Sequence, residues 1–215
     1  GQDWLTCVGR LAFPIFAFLL VEGFFHTRDL RRYVLRLLLL ALLSEIPFDL
    51  MYAGTSFFPF HQNVIWTFLI ALFCMWVIER VKRRGNLWLT LLAAAGMSLA
   101  GWLAGTIAMV DYYGAGVLTV LVFYLFRGGL WWQRLGQAAG MIWINCGLLA
   151  GLVLQVNILG LTVEFPQQGF ALLALIPIWL YRGRQGYHSR WVQMACYLFY
   201  PVHILVLAMM VRFLL

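Results

Sequence analysis

The chain is 215 residues long, 64% hydrophobic and only 11% charged, with a mean hydropathy of +0.87. Soluble domains are about 45–50% apolar, so a soluble globular domain is excluded, and so is a disordered chain. A net charge of +7 would suggest nucleic acid in a soluble protein, but the placement of the basic residues gives a different answer.

A membrane span takes about 20 residues and the stretches between apolar runs are short, so this length accommodates about eight or nine spans and no extramembrane domain. The runs are continuous and rich in Leu, Ala, Phe and Trp, which fits helices and not the alternating strands of a transmembrane barrel. The hydrophobicity is spread along the whole chain, unlike a signal peptide ahead of a secreted body. The expected fold is all-α: a polytopic transmembrane helical bundle forming a single unit over 1–215. In chain order the spans are predicted near Gly9–Phe25, Tyr33–Tyr52, Asn63–Ile78, Leu87–Val110, Gly114–Phe126, Ala138–Leu159, Gly169–Tyr181 and Trp191–Leu215. The short fifth and seventh either extend into flanking Tyr and Trp or cross only in part. The fourth carries Gly96, Gly101 and Gly105 and is expected to break near its middle. Gly101/Gly105 and Gly147/Gly151 have the small-xxx-small spacing of closely packed membrane helices. The chain opens on Gly1, not Met, and almost directly on an apolar segment, so a further segment upstream is expected.

Thirteen of the fifteen Lys and Arg fall in alternate connections: Arg28–Arg36, Arg80–Arg84, Arg127–Arg134 and Arg182–Arg190. The connections between them, Ala53–Gln62, Asp111–Tyr113 and Gly160–Gln168, contain none. This bias places the four basic loops in the cytoplasm and the C-terminus outside. The charge is thereby explained by topology and by anionic lipid, and a nucleic-acid partner is not expected. Cys7, Cys74, Cys146 and Cys196 are scattered singly, without a disulfide framework or metal spacing.

Ionisable side chains at bilayer depth cost at least ~2.5 kcal/mol on insertion scales, so each is a candidate for function. Arg10 opens the first span ahead of Pro14. Glu45 and Asp49 share one face of the second span, with Pro47 between them. His61 and Asn63 stand at the outer entrance to the third, Asp111 and Tyr113 form the next outer turn, and Tyr200 and His203 lie midway along the last span beside Pro201. By depth these groups converge on the outer half of the membrane, where they would form a polar cavity in an apolar bundle. Any one of them could equally be a satisfied interhelical hydrogen bond, and Arg10 with Asp49 or Asp111 could be a structural ion pair. His203 is the group suited to proton transfer near neutral pH. On the cytoplasmic side Glu22 and His26 read as a helix-end pair, or else His26 with Arg28, Arg31, Arg32 and Arg36 forms a mouth for an anionic donor.

The strings Val8-Gly-Arg-Leu-Ala-Phe-Pro-Ile-Phe, Glu22-Gly-Phe-Phe-His-Thr-Arg, Ser44-Glu-Ile-Pro-Phe-Asp and Tyr200-Pro-Val-His203, with Asn63 and the Tyr113-Gly114 turn, resemble the TraX family of F-pilin acetylation proteins. The resemblance covers nearly the whole chain. It implies a bacterial inner-membrane acetyltransferase that takes acetyl from acetyl-CoA to an acceptor amine or hydroxyl, on pilin or another envelope component. By position, Arg10, Glu45, Asp49, Asn63, Tyr113 and His203 match the family's polar pattern. Members usually begin with a further helix carrying an Asp-His pair; with it the spans would number nine, and a chain without it would lack that histidine and could be inactive. On this reading His203, Glu45 and Asp49 are catalytic, and Arg10, His61, Asn63, Asp111, Tyr113 and Tyr200 hold the acceptor. His26, Arg28, Arg31 and Arg32 bind the acetyl-CoA phosphates. The rival from another class is a proton-coupled transporter, which buried carboxylates and a mid-span histidine would serve equally well.

Overall fold

A computed structural model describes residues 3–151, 153–158, 161–181, 183 and 189–214. The helices are α1 (Asp3–Gly9), α2 (Ala12–His26), α3 (Leu30–Ala53), α4 (Val64–Lys82), α5 (Leu87–Ile107), α6 (Tyr113–Leu125), α7 (Trp131–Ile142), α8 (Leu175–Leu180) and α9 (Arg190–Leu214). Among the described residues, four stretches are long and apolar enough to cross a membrane: Thr6–His26, Val64–Lys82, Leu87–Ile107 and Met194–Arg212. Tyr113–Leu125 and Gln167–Leu180 are shorter apolar helices. The protein is a polytopic helical bundle, as its hydropathy requires.

Asx residues start the long helices where the apolar runs begin. Asp29, Asn63 and Asn86 each accept a backbone N–H of the first turn, from Arg32, Ile65 and Leu89, all at 3.1 Å. Gly54 (φ 69°) and Gly85 (φ 75°) end α3 and turn the chain after α4 in the left-handed region that suits glycine. The helix α4 is apolar all round and lies at the centre, its Ala71, Leu72, Met75 and Ile78 packed with Ala17 and Val21 of α2 and Val117, Val120 and Leu121 of α6. Between helices in lipid the hydrophobic effect supplies little, so close packing and interhelical hydrogen bonds hold the bundle. The glycines of α5 show how. Gly101 lies where a Cβ would meet Val117 at 2.8 Å and Cys74 at 2.9 Å, and Gly105 lies against the Tyr113 carbonyl. These contacts leave α5 unbroken, so the expected mid-helix break does not occur: the small residues serve packing against α4 and α6.

The sixth predicted span departs from expectation. Ala138–Leu159 is not one helix: α7 runs into a π-helical turn, Trp143–Leu148, and the chain then forms an antiparallel hairpin of β1 (Val153–Ile158) and β2 (Leu161–Pro166). The register sets Leu154 against Phe165, Val156 against Val163, and Gln155 against Glu164. That alternation, visible in the letters Leu-Gln-Val-Asn-Ile and Leu-Thr-Val-Glu-Phe, has period two and suits a strand, not a helix. Gly147 and Gly151 are consequently not a helical pair. The seventh segment is a 3-10 stretch, Gln167–Ala174, running into α8.

Candidate active site

The α3–α4 junction and the 109–113 turn are tied together by backbone. Gln62 N–H donates to Met109 O and Asp111 N–H to Gln62 O, both at 2.9 Å, and Thr67 Oγ1 donates to Asp111 O at 2.8 Å. The turn is strained: Met109, Tyr112 and Tyr113 have φ of 51°, 61° and 49°, values that non-glycine residues rarely adopt.

Within this frame Asn63 donates to Ala41 O at 2.9 Å and to Glu45 Oε2, while Trp66 Nε1 donates to the same oxygen at 3.0 Å. Asp49 is fully buried and accepts Phe58 N–H at 2.9 Å. His61, also buried, lies 3.8 Å from Asp111 Oδ1, with its ring stacked on Tyr52 at 4.4 Å and tilted against Tyr113 at 5.8 Å. Tyr112 stacks on Phe13 at 4.3 Å; burial and then the Asp111 carboxylate push its phenol up, partly offset by the neighbouring Arg10 guanidinium. Arg10 makes no ion pair with Asp49 or Asp111 among the described residues, so the ion-pair alternative is not realised. Among the described residues the buried side-chain polar atoms without a hydrogen-bond partner are Arg10 Nε, Ser44 Oγ, Glu45 Oε1, Asp49 Oδ1, His61 Nδ1 and Gln167 Oε1. All but the last belong to residues of α3, the α3–α4 junction or the connection between α1 and α2.

Beside this cluster lies a cavity of about 780 Å3, walled by α2, α3, the start of α4 and α9, with Asp111, Tyr112, Tyr200 and His203 among its lining residues. His203 Nδ1 is 2.8 Å from Phe199 O, an oxygen that can only accept, so Nδ1 donates and the tautomer with its lone pair on Nε2 is the one this contact selects. Phe48 and Val64 face the cavity, whereas Glu45 and Asp49 do not line it. The structure therefore brings Asp111, Tyr200 and His203 to one space and gathers Glu45, Asn63 and Trp66 behind its wall. The two carboxylates of α3 do not touch the histidine of α9. Sequence reasoning passed over Tyr112, which lines the cavity, and Trp66, whose indole holds Glu45. Trp66 lies three residues after the helix-capping Asn63, the spacing that could have revealed it.

At the other end of the bundle Glu22 is held by Arg127 in a forked pair, Nε to Oε1 at 2.7 Å and Nη2 to Oε2 at 3.2 Å, with the guanidinium 4.3 Å over the Phe25 ring. His26 Nδ1 lies 2.8 Å from Glu22 O and 3.7 Å from Glu22 Oε2, so the expected Glu22–His26 pair is present, beside the shorter pair between α2 and the end of α6. A hollow of about 430 Å3 is bordered by Arg28, Arg32 and Arg36, of which Arg32 is engaged with Asp29 at 3.1 Å; Arg31 does not border it.

Comparison with known proteins places the chain. No solved structure matches it. It is 30% identical over 217 residues to a protein from Dichelobacter nodosus described as probable fimbrial assembly protein FimC, serogroup H1, an alignment covering 95% of this chain and 82% of that one. The profile of the TraX protein family matches residues 1–211, nearly the whole chain. The chain belongs to the TraX family.

Proposed function

We propose that this protein is an integral-membrane acetyltransferase of the bacterial cytoplasmic membrane, acting in pilus or fimbrial assembly. Its basic connections face the cytoplasm, its C-terminus faces outward, and the acetyl group passes from acetyl-CoA to an amine or hydroxyl of pilin or another envelope component. The observation that carries this reading is His203, oriented through Nδ1 with Nε2 free, on the wall of a largely apolar cavity shared with Asp111 and Tyr200.

Acetyl-CoA would rest its phosphates on Arg28, Arg31 and Arg32 with His26 and pass its thioester into the bundle. The acceptor, oriented by Asp111 and Tyr200 of the cavity lining, gives its proton to His203 Nε2 as it attacks the acetyl carbonyl. The new C–N or C–O bond forms, the C–S bond breaks, and the proton passes to the departing thiolate. A positioned base of this kind is worth about 10²–10⁴ in rate. Arg10, His61 and Asn63 stand outside the cavity lining and hold the polar frame around it, and Glu45 and Asp49, each with one unpaired oxygen, belong to that frame behind the wall. Purified protein should transfer label from acetyl-CoA, and His203→Ala should lower the rate by at least about tenfold. Unchanged turnover in that variant removes His203 from the mechanism.

A proton-coupled transporter is favoured by one observation: the cavity lining extends from Gly9 and Asp111 to Tyr33 and Val192, near opposite ends of the bundle. Calorimetry with acetyl-CoA separates the readings, since a permease has no reason to bind it.

A further inference from the structure

Acetyl transfer to a water-borne acceptor leaves most of the cavity unexplained. At about 780 Å3 it is far larger than an acetyl group, and most of its wall is hydrocarbon. Its position accounts for this. The helix α9 packs along α3, while α2 packs on α6, α4 and the 167–174 stretch, so α2 and α9 line opposite sides of the space. The rim carries Phe16 and Leu19 of α2 and Phe199 and Leu207 of α9, all exposed at the perimeter where the bundle meets lipid. The inner wall carries Leu20, Leu37, Phe68 and Ile204, all buried. The space is thus a cleft open sideways toward the bilayer. Water needs two to four polar partners to settle in a cavity, and this stretch of wall offers none, so hydrocarbon fills it.

The polar groups beside His203 suit the head of such a molecule. Asp111 and His203 Nε2 accept hydrogen bonds from a hydroxyl or amine. Arg10 does not line the cleft, but its guanidinium lies beside Tyr112, which does, and places there the positive charge that complements a phosphodiester. We infer that the cleft between α2 and α9 holds one hydrocarbon chain of a membrane phospholipid and presents the lipid's head-group hydroxyl or amine to His203 as the acetyl acceptor. The chemistry rests on the acetyl-transfer reading; occupation of the cleft by lipid does not. The head-group O–H or N–H loses its proton to His203 Nε2, its oxygen or nitrogen bonds to the acetyl carbon, and coenzyme A leaves as the thiol after taking that proton. No oxidation or reduction occurs.

The test reconstitutes the protein in vesicles of phosphatidylethanolamine and phosphatidylglycerol containing a small share of phospholipid with a photoactivatable diazirine in one acyl chain. After irradiation the adducts are mapped by mass spectrometry. Leu37 and Ile204 should be labelled together with the perimeter residues Leu91 and Leu103 of α5. Ala12→Trp and Leu207→Trp, both at exposed rim positions, should cut the cleft adducts by about tenfold and leave those of α5 unchanged. Labelling of Leu37 and Ile204 no stronger than at the sealed Val117, or unaffected by both substitutions, overturns the inference. With labelled acetyl-CoA the acetyl group should appear in the lipid extract, the two head groups reporting whether an amine or a hydroxyl takes it. Acetyl found only on protein or peptide, with turnover intact, overturns the lipid acceptor while acetyl transfer stands. Absence of turnover with any acceptor defeats the acetyl-transfer reading and the acceptor assignment with it, and the adduct map then decides cleft occupation alone.

Discussion

Asn63 carries more structural load than any other polar side chain near the site. Its Oδ1 caps α4 while its amide nitrogen reaches both the Ala41 carbonyl and Glu45, so one residue binds the start of one helix to the middle of another. Asn63→Ala removes the cap and leaves a half-buried carboxylate held by Trp66 alone. It should cost about 1–3 kcal/mol, measured as loss of thermal stability in detergent, with Asn63→Ser restoring the cap part of that loss. Arg127 is the corresponding residue at the opposite end. Its partner Glu22 is largely buried, so Arg127→Ala strands a carboxylate and should destabilise by about 1–3 kcal/mol, less than for a fully buried pair because the guanidinium is over one-third exposed. Arg127→Lys should recover only part of this, since an ammonium cannot make the fork.

At the scale of helices, the α5–α6 pair is set by the absence of side chains. A Cβ on Gly114 would run into the Trp102 carbonyl, and one on Gly105 would lie 2.9 Å from the Tyr113 carbonyl. Backbone cannot yield as a flexible side chain can. Gly114→Ala should therefore cost about 1–3 kcal/mol through helix separation, while Gly96→Ala, with nothing within 4 Å of its Cβ, should be neutral or stabilising by up to about 1 kcal/mol. Thermal unfolding of the two variants side by side checks this. The left-handed residues of the 109–113 turn follow from the same packing. They stay in place because Gln62, Thr67 and the close approach of α5 and α6 over-determine the turn.

For the whole molecule, the alternation of basic and uncharged connections predicts the orientation. In spheroplasts, a cysteine at Thr55, between α3 and α4, should react with an impermeant maleimide. One at Arg84, between α4 and α5, should react only after permeabilisation. The reverse pattern overturns the proposed topology. Arrangement in the plane of the membrane is a different matter. The central place of α4 and the peripheral place of α5 and α9 come from packing, since the three helices have comparable hydropathy in sequence.

The amino-acid sequence by itself determined that this is a helical membrane bundle, which segments are apolar, that α4 begins after Asn63, and which family the chain belongs to. Those properties reside in local composition, in capping residues and in contiguous strings, all readable along one dimension. Position along each predicted span also led to the expectation that Arg10, Glu45, Asp49, His61, Asp111 and His203 converge on the outer half of the membrane. Only the tertiary structure decided which of them meet. Depth leaves the angle around each helix and the identity of its neighbours open, so Glu45 turned out to face Asn63 and Trp66 and not His203, and Glu22 found Arg127, 105 residues away. The cleft between α2 and α9 belongs to the same class: an empty space between helices leaves no mark in either one's sequence.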